Sequence, residues 1–424
     1  MKYKKTVLSN GLRIITIPMK ETQSAIGMVL VEAGSDYETP EINGLSHFLE
    51  HMCFKGTANR DSNKIKTELD GMGASSNAFT GNEYTGYYAK THYKKIDKVI
   101  DLVSDIYLNP TFPQKDIDIE RGVIIEEINM YEDLPSVTVR WDVWAKLLYG
   151  DSPAGRTILG PKENIKTLQR DDFVKYHDNH YVPGKTVVVV AGNIDQTKIL
   201  KQIKDTFGTI EGEKIIKKKK TKETQKTPGL LIKNKKTDQT HIALGFRAFK
   251  MYDKRNSALK VAATILGQGF SSRLFTRMRD ELGMCYYAKA GLDTHADRGA
   301  FVVTTGVGNE RAEEAVEVIM EEFRKLRDDE ILEAELKKAK DFMIGHVATG
   351  LETSDEWADY FGFQELMREE ILKPTEKIKK IREVTVSDIK RVLKQIMKPE
   401  KLNLAMIGPH EKKDEDRFKK LMKI

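Results

Sequence analysis

Cysteine is nearly absent from the sequence, and long apolar runs are absent altogether. Cys53 and Cys285 are the only cysteines among 424 residues, which excludes a small disulfide-held secreted domain and favours a reducing compartment. No apolar run approaches the length of a membrane-spanning helix. The first residues contain neither an apolar signal core nor a transit-like segment. We therefore expect a cytoplasmic protein with no membrane partner.

Aromatic residues are missing where basic residues are most dense. The formal net charge is +6, which by itself would suit a nucleic-acid partner. The excess is concentrated in residues 214–226, where seven lysines accompany one glutamate and no aromatic residue is interleaved. Such a charge run is typical of a solvated segment. We predict a lysine-rich linker at residues 213–228 and no nucleic-acid partner.

The chain repeats itself at a fixed interval of 216 residues. The matching pairs are Ile165 with Ile381, Asp172 with Asp388, Phe173 with Ile389, Pro183 with Pro399, Lys185 with Lys401 and Gly192 with Gly408. A chain of 424 residues is too long for one ordinary core, whereas two halves of this size match common domains. We predict two homologous domains, residues 1–212 and 229–424, joined by the linker at 213–228.

Each half is predicted to be an α+β domain with a mainly antiparallel sheet packed by helices. The Asn10-Gly11 pair predicts a hairpin turn before residues 12–17. Strand patterns occur at residues 25–32, 76–90, 185–191, 229–232, 241–246, 286–292, 299–307 and 402–407. Helical patterns occur at residues 94–107, 312–327 and 331–348, and in the two segments that carry the polar motifs.

The most informative motif is His47-Phe48-Leu49-Glu50-His51. It lies in an apolar stretch that predicts a helix ending at Gly56. The two histidines lie about 40° apart on one helical face, with Glu50 beside them. Two neutral imidazoles one turn apart can bind Zn²⁺, which leaves Glu50 to take a proton from bound water. This order of residues is the inverzincin signature, so the sequence predicts a zinc peptidase that needs a third protein ligand.

The third ligand is predicted on the helical pattern of residues 120–130. Spacing cannot choose between Glu126 and Glu127, but the helical phase puts Glu127 on the apolar face with Val123 and Ile124. A carboxylate on an apolar face must be paired or bound to metal, so Glu127 is the predicted ligand. Glu120, two turns earlier, is predicted to orient a ligand histidine. Glu126 is predicted to be a solvated surface residue.

Simpler interpretations compete with a metal site. A His-Glu-His cluster on a helix is more often a surface polar patch, but this one interrupts an apolar helix and a second helix offers a carboxylate. His177 and His180 also have helical spacing, but no carboxylate partner is evident, so we predict no metal there. Cys53 lies on a different helical face from His51, and we predict a buried thiol.

Four segments together resemble the M16 metallopeptidases. They are HFLEHMCFKGT at residues 47–57, GASSNAFT at 73–80, ERGVI at 120–124 followed by Glu127, and RTILG at 156–160. The resemblance extends from about residue 8 to the C-terminus. It implies a zinc endopeptidase, with one Zn²⁺ per chain, that cleaves unfolded peptides in a chamber closed by two chains. The two chains would form a homodimer or pair with a related partner subunit.

The second half keeps none of the predicted metal ligands. At the interval of 216, allowing a residue or two for gaps, Ala263, Leu266, Gly267 and Met343 stand opposite His47, Glu50, His51 and Glu127. Residues 271–286 resemble the C-terminal Arg/Tyr element of the family. The resemblance implies that Arg279 and Tyr286 contact the substrate backbone and the reacting carbonyl, where their donors would stabilise oxyanion charge.

Small residues beside the metal motif suit a strand that binds substrate. The segment at residues 76–80 predicts an edge strand on which Asn77, Ala78 and Thr80 pair with an extended, unfolded peptide. A non-catalytic scaffold, like the M16-related core subunits of respiratory complexes, is the alternative function. Such subunits typically lose ligands, whereas this chain retains the full predicted set, which favours the enzyme.

Overall fold

The computed structural model describes residues 1–210, 215–367 and 370–424. The chain forms two compact units. Unit 1 comprises Met1–Asn129, Thr157–Lys219 and Gly350–Leu372, and unit 2 comprises Met130–Arg156, Lys220–Thr349 and Lys373–Ile424. Residues 213 and 214 of the predicted linker, and the predicted domain end at residue 212, lie outside the described residues. No helix in the described part of the chain is long and apolar enough to cross a membrane.

Short runs of strands are followed by runs of helices along both halves. The strands are β1 (Lys4–Val7), β2 (Arg13–Pro18), β3 (Ser24–Val31), β4 (Ser75–Thr80), β5 (Thr85–His92), β6 (Thr186–Gly192), β7 (Gly229–Asn234), β8 (Gln239–Arg247), β9 (Cys285–Thr294), β10 (Gly299–Gly308) and β11 (Leu402–Gly408). The helices of the first half are α1 (Leu45–Met52), α2 (Ser62–Met72), α3 (Ile96–Leu108), α4 (Gln114–Glu132), α5 (Pro135–Thr138), α6 (Ala145–Tyr149), α7 (Lys162–Thr167), α8 (Arg170–His180) and α9 (Gln196–Phe207). Those of the second half are α10 (Asn256–Gly267), α11 (Ala312–Asp328), α12 (Glu333–Thr349), α13 (Ser354–Leu366), α14 (Pro374–Arg382), α15 (Val386–Ile396) and α16 (Glu415–Leu421).

Unit 1 contains a mixed but mainly antiparallel sheet, as predicted. Its strand order is β1-β2-β6-β3-β5-β4, and among the described residues only β2 and β6 pair in parallel. The predicted hairpin at Asn10-Gly11 is confirmed, because β1 and β2 pair across it and Gly11 has φ +90°. Such a positive φ favours glycine. β4 lies at the end of the sheet.

The segment at residues 76–90 was predicted as one strand, and this was wrong. It forms β4 and β5, joined by a tight turn at residues 81–84 in which the Gly81 amide donates to the Tyr84 carbonyl at 2.7 Å. Thr80 and Thr85 are the last paired residues of this hairpin. Gly81 and Asn82 are turn-forming residues, which explains why the strand reverses there.

Unit 2 repeats this arrangement at the interval seen in the sequence. Its strand order is β7-β11-β8-β10-β9, and again only the β7–β11 pair is parallel among the described residues. β2 and β7 begin at Arg13 and Gly229, and β6 and β11 begin at Thr186 and Leu402, so both pairs differ by 216. The predicted α+β class and two related domains are therefore confirmed.

The two halves of the sequence exchange one segment each, which the sequence did not predict. Trp357, Phe361 and their neighbours on α13 pack on one face of the unit 1 sheet. Residues 139–148 of the first half pack in the same way on the unit 2 sheet. These segments are related by the interval of 216. Since the other face of each sheet is covered by helices, β6 and β11 are buried along their whole length.

The lysine-rich segment is less uniformly solvated than predicted. Lys217, Lys219 and Lys220 are exposed. Lys218, by contrast, lies 3.1 Å from Asp36 and 2.6 Å from Glu83, two buried carboxylates of unit 1. Buried carboxylates need compensating charge, so this lysine is held by the fold while its neighbours remain in solvent.

Candidate metal centre

The start of α1 is fixed by a buried carboxylate. Glu38 accepts hydrogen bonds from the Gly44 and Ser46 amides at 2.9 and 2.7 Å, and from the Ser46 hydroxyl and the Asn43 side chain. Gly44 has φ +103°, a conformation that suits glycine. The helix was predicted to end at Gly56, but it ends at Met52. The bonds to Glu38 satisfy free amides at the helix start and so orient the helix that carries the histidines.

Three potential ligand atoms meet between α1 and α4. The Nε2 atoms of His47 and His51 lie 3.5 and 3.6 Å from one oxygen, Oε2 of Glu127. No other group of three His, Cys, Asp or Glu side chains in the described ranges is close enough to hold a metal ion. Ligand atoms around a tetrahedral zinc lie roughly 3.3 Å apart, so these residues fit Zn²⁺. The structure thus brings together all three residues predicted as ligands.

The helical-phase argument holds for Glu127 but not for one of its neighbours. Ile124 and Ile128 are buried, as expected, and Glu126 is exposed. Val123 was expected on the buried face, but 49% of it is exposed. Glu127 lies between Val123 and Ile124 around the helix, so it stands at the boundary of the buried face. Its side chain is 23% exposed, and it is therefore accessible from the side of the cluster.

Glu120 and Lys55 support His51 from behind. Glu120 is buried and its Oε1 lies 3.0 Å from Nδ1 of His51, while its Oε2 accepts from the Lys55 ammonium. Burial would raise the pKa of the Glu120 carboxyl, but the bonds to His51 and Lys55 lower it below its usual range. An ionised Glu120 keeps the proton of His51 on Nδ1 and leaves Nε2 free for a metal, which is the arrangement predicted for it.

The electrostatics of the two histidines differ. Burial, followed by the charge of His51, lowers the pKa of His47 to about 3, so its ring is neutral. Nδ1 of His47 is buried and has no hydrogen-bond partner among the described residues. Burial also lowers the pKa of His51, but Glu120 and the charges of Glu50 and Glu127 outweigh it and raise the value overall. A cation at the cluster would replace the proton that these carboxylates favour.

Glu50 lies beside the cluster without belonging to it. Its carboxylate Oε2 accepts a hydrogen bond from Thr80 Oγ1 at 2.5 Å. Burial raises the pKa of Glu50, with the Thr80 hydrogen bond and the charge of His51 opposing that shift. A raised carboxyl pKa suits a general base that must later return the proton. Burial likewise raises the pKa of Glu127.

The residues predicted to bind substrate lie on β4. This strand pairs only with β5 among the described residues, so its other edge is unpaired. Asn77 is exposed, whereas Ala78 is half-buried against the core that α1 joins. Thr80 was predicted to contact substrate, but its hydroxyl is directed at Glu50. Thr80 therefore joins the edge strand β4 to the predicted base, a contact that the sequence did not reveal.

Arg279 and Tyr286 lie together in unit 2. Arg279 lies in the last turn of a π-helical segment at Phe275–Glu281, and Tyr286 lies near the start of β9, the end strand of its sheet. The guanidinium carbon of Arg279 is 5.0 Å from the Tyr286 ring centre and 4.8 Å from that of Phe275. Tyr286 is 79% exposed. Both side chains are thus held near each other with donors available to a ligand.

The other residues weighed as possible ligands, His177, His180 and Cys53, take structural roles. His177 bonds to the Tyr107 carbonyl at 2.9 Å and stacks near Tyr181, and His180 packs against Tyr176. Neither histidine belongs to a group of potential metal ligands in the described part of the chain. Cys53 is fully buried, as predicted, with its thiol 3.4 Å from the Tyr87 hydroxyl.

Sequence reasoning missed Lys55 and Glu38. Lys55 lies four residues after His51, a spacing that could have suggested a neighbour on the same face. Glu38 lies outside α1 in sequence, and no local pattern marks it as the residue that caps this helix.

Comparison with known proteins agrees with this arrangement. Residues 13–162 match the family described as Insulinase (Peptidase family M16), and residues 167–343 match the Peptidase M16 inactive domain. An uncharacterized zinc protease of Mycobacterium leprae is 33% identical over 412 residues, covering 96% of this chain and 92% of the relative. One from Bacillus subtilis is 33% identical over 420 residues, covering 96% and 98%.

Two solved structures share the fold. A protease from Helicobacter pylori superposes with a TM-score of 0.91 at 26% identity, covering 96% of this chain and 100% of that one. A structure of a peptidase M16 inactive domain from Pseudomonas fluorescens has a TM-score of 0.87 at 17% identity, covering 97% and 98%. The second likeness is one of fold alone.

Proposed function

The chain belongs to the M16 peptidase family, and on that premise we propose that it is a cytoplasmic zinc endopeptidase that cleaves unfolded peptides. The observation that carries the proposal is the meeting of His47, His51 and Glu127 within 4.8 Å, with Glu50 beside them. Three protein ligands leave a fourth position for water or substrate, as catalytic zinc requires. The relatives' names include zinc protease, which supports the choice of metal.

The proposed chemistry assigns separate roles to the surrounding residues. When bound, one zinc per chain would supply a Lewis acid that polarises the peptide carbonyl and acidifies a water. Glu50 accepts the proton of the attacking water and returns it to the leaving amine. Thr80 holds one oxygen of Glu50, which leaves the other oxygen to act as the base. Glu120 orients His51, and Lys55 keeps Glu120 ionised.

The substrate is proposed to bind as an added strand. The free edge of β4 would pair with an extended peptide beside Asn77 and Ala78, where the Ala78 amide would exchange its present bond to the Asn77 side chain for one to the peptide. Main-chain pairing tolerates many sequences but demands an unfolded chain. A folded protein digested as fast as its denatured form would contradict this mode of binding.

The second half is proposed to complete the site in a dimer. Arg279 and Tyr286 of one chain would contact substrate at the metal centre of another, because the metal cluster belongs to unit 1 and the Arg/Tyr pair to unit 2. A symmetric homodimer would then hold two equivalent sites. A related partner subunit could supply the same pair. The retained ligand set disfavours the alternative function as a non-catalytic scaffold.

Metal analysis and peptide hydrolysis test the proposal together. The purified chain should contain stoichiometric zinc and cleave internally quenched, unstructured peptides, and a chelator should abolish both. Zinc added back should restore cleavage. A chain that binds no zinc, or that binds it and cleaves no peptide in a broad quenched library, would instead support the scaffold.

A further inference from the structure

A cavity of about 380 Å³ lies on the face of the unit 1 sheet that α13 covers. Ile26 and Met28 of β3 contribute apolar lining, and four aromatic rings surround them. Phe79 and Tyr84 lie 5.7 and 4.9 Å, respectively, from the ring centre of Phe363. This lining can hold an apolar chain, and the rings can also attract a cation.

Two carboxylates give the cavity a negative end. Asp355 and Asp359 both line it, one turn apart on α13. Asp355 pairs with Lys90 at 2.5 Å, whereas Asp359 has no hydrogen bond or ion pair in the described part of the chain. Burial, then the charges of Asp355 and Glu356, raises the pKa of Asp359 to about 6. Within the described ranges, Asp359 therefore adds negative charge to the cavity without a paired lysine or arginine.

The cavity is continuous with the strand proposed to bind substrate. Successive side chains of a strand point to opposite faces. Thr80 is directed at Glu50 on the α1 side, and Phe79 packs with Tyr84 and Phe363 on the α13 side. A peptide paired with β4 continues this alternation, so every second side chain of the peptide would lie on the cavity side.

We propose that this cavity is a specificity site that takes a lysine or arginine side chain of the bound peptide. The inference rests on the proposed peptidase function and adds a substrate preference to it. Lysine and arginine combine an apolar stem with a cationic end, which matches an aromatic and aliphatic lining that leads to Asp359. A neutral apolar side chain would leave Asp359 without a counter-charge, and an acidic one would be repelled.

Peptide binding to the Glu50→Gln variant tests the proposal without turnover. Fluorescent peptides that differ at one position, lysine against the uncharged isostere norleucine, would be compared by anisotropy at successive positions. We expect lysine to bind at least fivefold more tightly at alternate positions only. Asp359→Asn should remove that difference, while Glu352→Gln, an exposed carboxylate just before α13, should keep it.

Kinetics with the wild-type chain separate this inference from the function on which it rests. The rings and Asp359 lie on the α13 face of the sheet, opposite the face to which the Thr80 hydroxyl and Glu50 belong, so lysine should lower KM and leave kcat unchanged. Cleavage of both peptides with equal KM would overturn the specificity site and leave the peptidase intact. Cleavage of neither peptide would overturn both. The wild-type comparison also decides the matter if Asp359→Asn fails to fold.

Discussion

The two units share a strand arrangement, yet among the described residues only unit 1 has a cluster of potential metal ligands. At the positions opposite His47, Glu50 and His51, α10 carries Ala263, Leu266 and Gly267, all buried. A Cβ atom added at Gly267 would lie 2.5 Å from the Ala290 amide nitrogen of β9. The helix of unit 2 packs so closely on its sheet that a histidine cannot fit there without displacing backbone. Unit 2 therefore fills this position with close apolar packing, whereas unit 1 leaves room there for polar side chains that could bind a metal.

Removing a predicted metal ligand from unit 1 should leave that unit as unable to bind zinc as unit 2. Glu127→Gln should lose stoichiometric zinc and with it all measurable turnover, because two histidines alone bind zinc weakly. Glu126→Gln, the exposed neighbour on the same helix, should keep both. Metal content by mass spectrometry and cleavage of a quenched peptide measure the two effects. Full zinc in Glu127→Gln would mean that another residue is the third ligand.

Removing the base should leave the metal in unit 1 while stopping the reaction. Glu50→Gln should reduce kcat by on the order of 10²–10⁴-fold and retain zinc, since three ligands remain. Zinc content and steady-state rates on the same preparation give the answer. Loss of zinc in this variant would assign Glu50 to the ligand set instead.

The contribution of unit 2 can be measured by mixing two inactive chains. Tyr286→Phe should lower kcat by on the order of 10²–10³-fold if its hydroxyl stabilises the oxyanion. Mixed with Glu50→Gln, it should regenerate one intact site in each heterodimer. Activity of purified mixed dimers is compared with that of each variant alone. An inactive mixed dimer, or a fully active wild-type monomer, would disprove completion between chains.

A smaller effect should follow from weakening the support of His51. Glu120→Gln keeps the shape of the side chain but loses the charge that orients the ring, so zinc affinity should fall roughly 10–100-fold. Competition with a chelating dye measures that affinity. Glu163→Gln, at a carboxylate in the first turn of α7, serves as a surface control. Equal affinities in both variants would show that Glu120 does not support the ligand.

The smallest expected effect concerns stability and Asp359. Burial raises the pKa of Asp359 in the folded chain from the ordinary aspartate value of 3.8 to about 6. Its contribution to folding is therefore present below the unfolded value and is lost as pH rises through 6. Asp359→Asn should therefore raise Tm at pH 8, by on the order of 1–2 °C because the group is partly solvated. The gain should vanish near pH 4. Thermal scans at both pH values check the sign, and an unchanged or lower Tm at pH 8 would refute it.

Much of the fold and part of the site could be predicted from short-range patterns. The helix with His47 and His51, the phase that selects Glu127 over Glu126, and most strand positions follow from periods of 3.6 and 2 residues. The hairpin at residues 76–90 was missed because its turn interrupts an otherwise continuous strand pattern. Val123 was misplaced because helical phase gives direction around the axis but not the edge of the covered face.

The sequence by itself determined the repeat of 216 residues, the α+β class and the side chains available for metal chemistry, because these depend on composition, covalent spacing and local period. Only the tertiary structure decided that α13 covers the sheet of unit 1, that Thr80 bonds to Glu50, that Lys218 pairs with Asp36 and that Asp359 lines a cavity beside the edge strand. Each of these depends on residues far apart in the chain. Burial and charge compensation fix such contacts only when the whole core packs, and no local pattern records them.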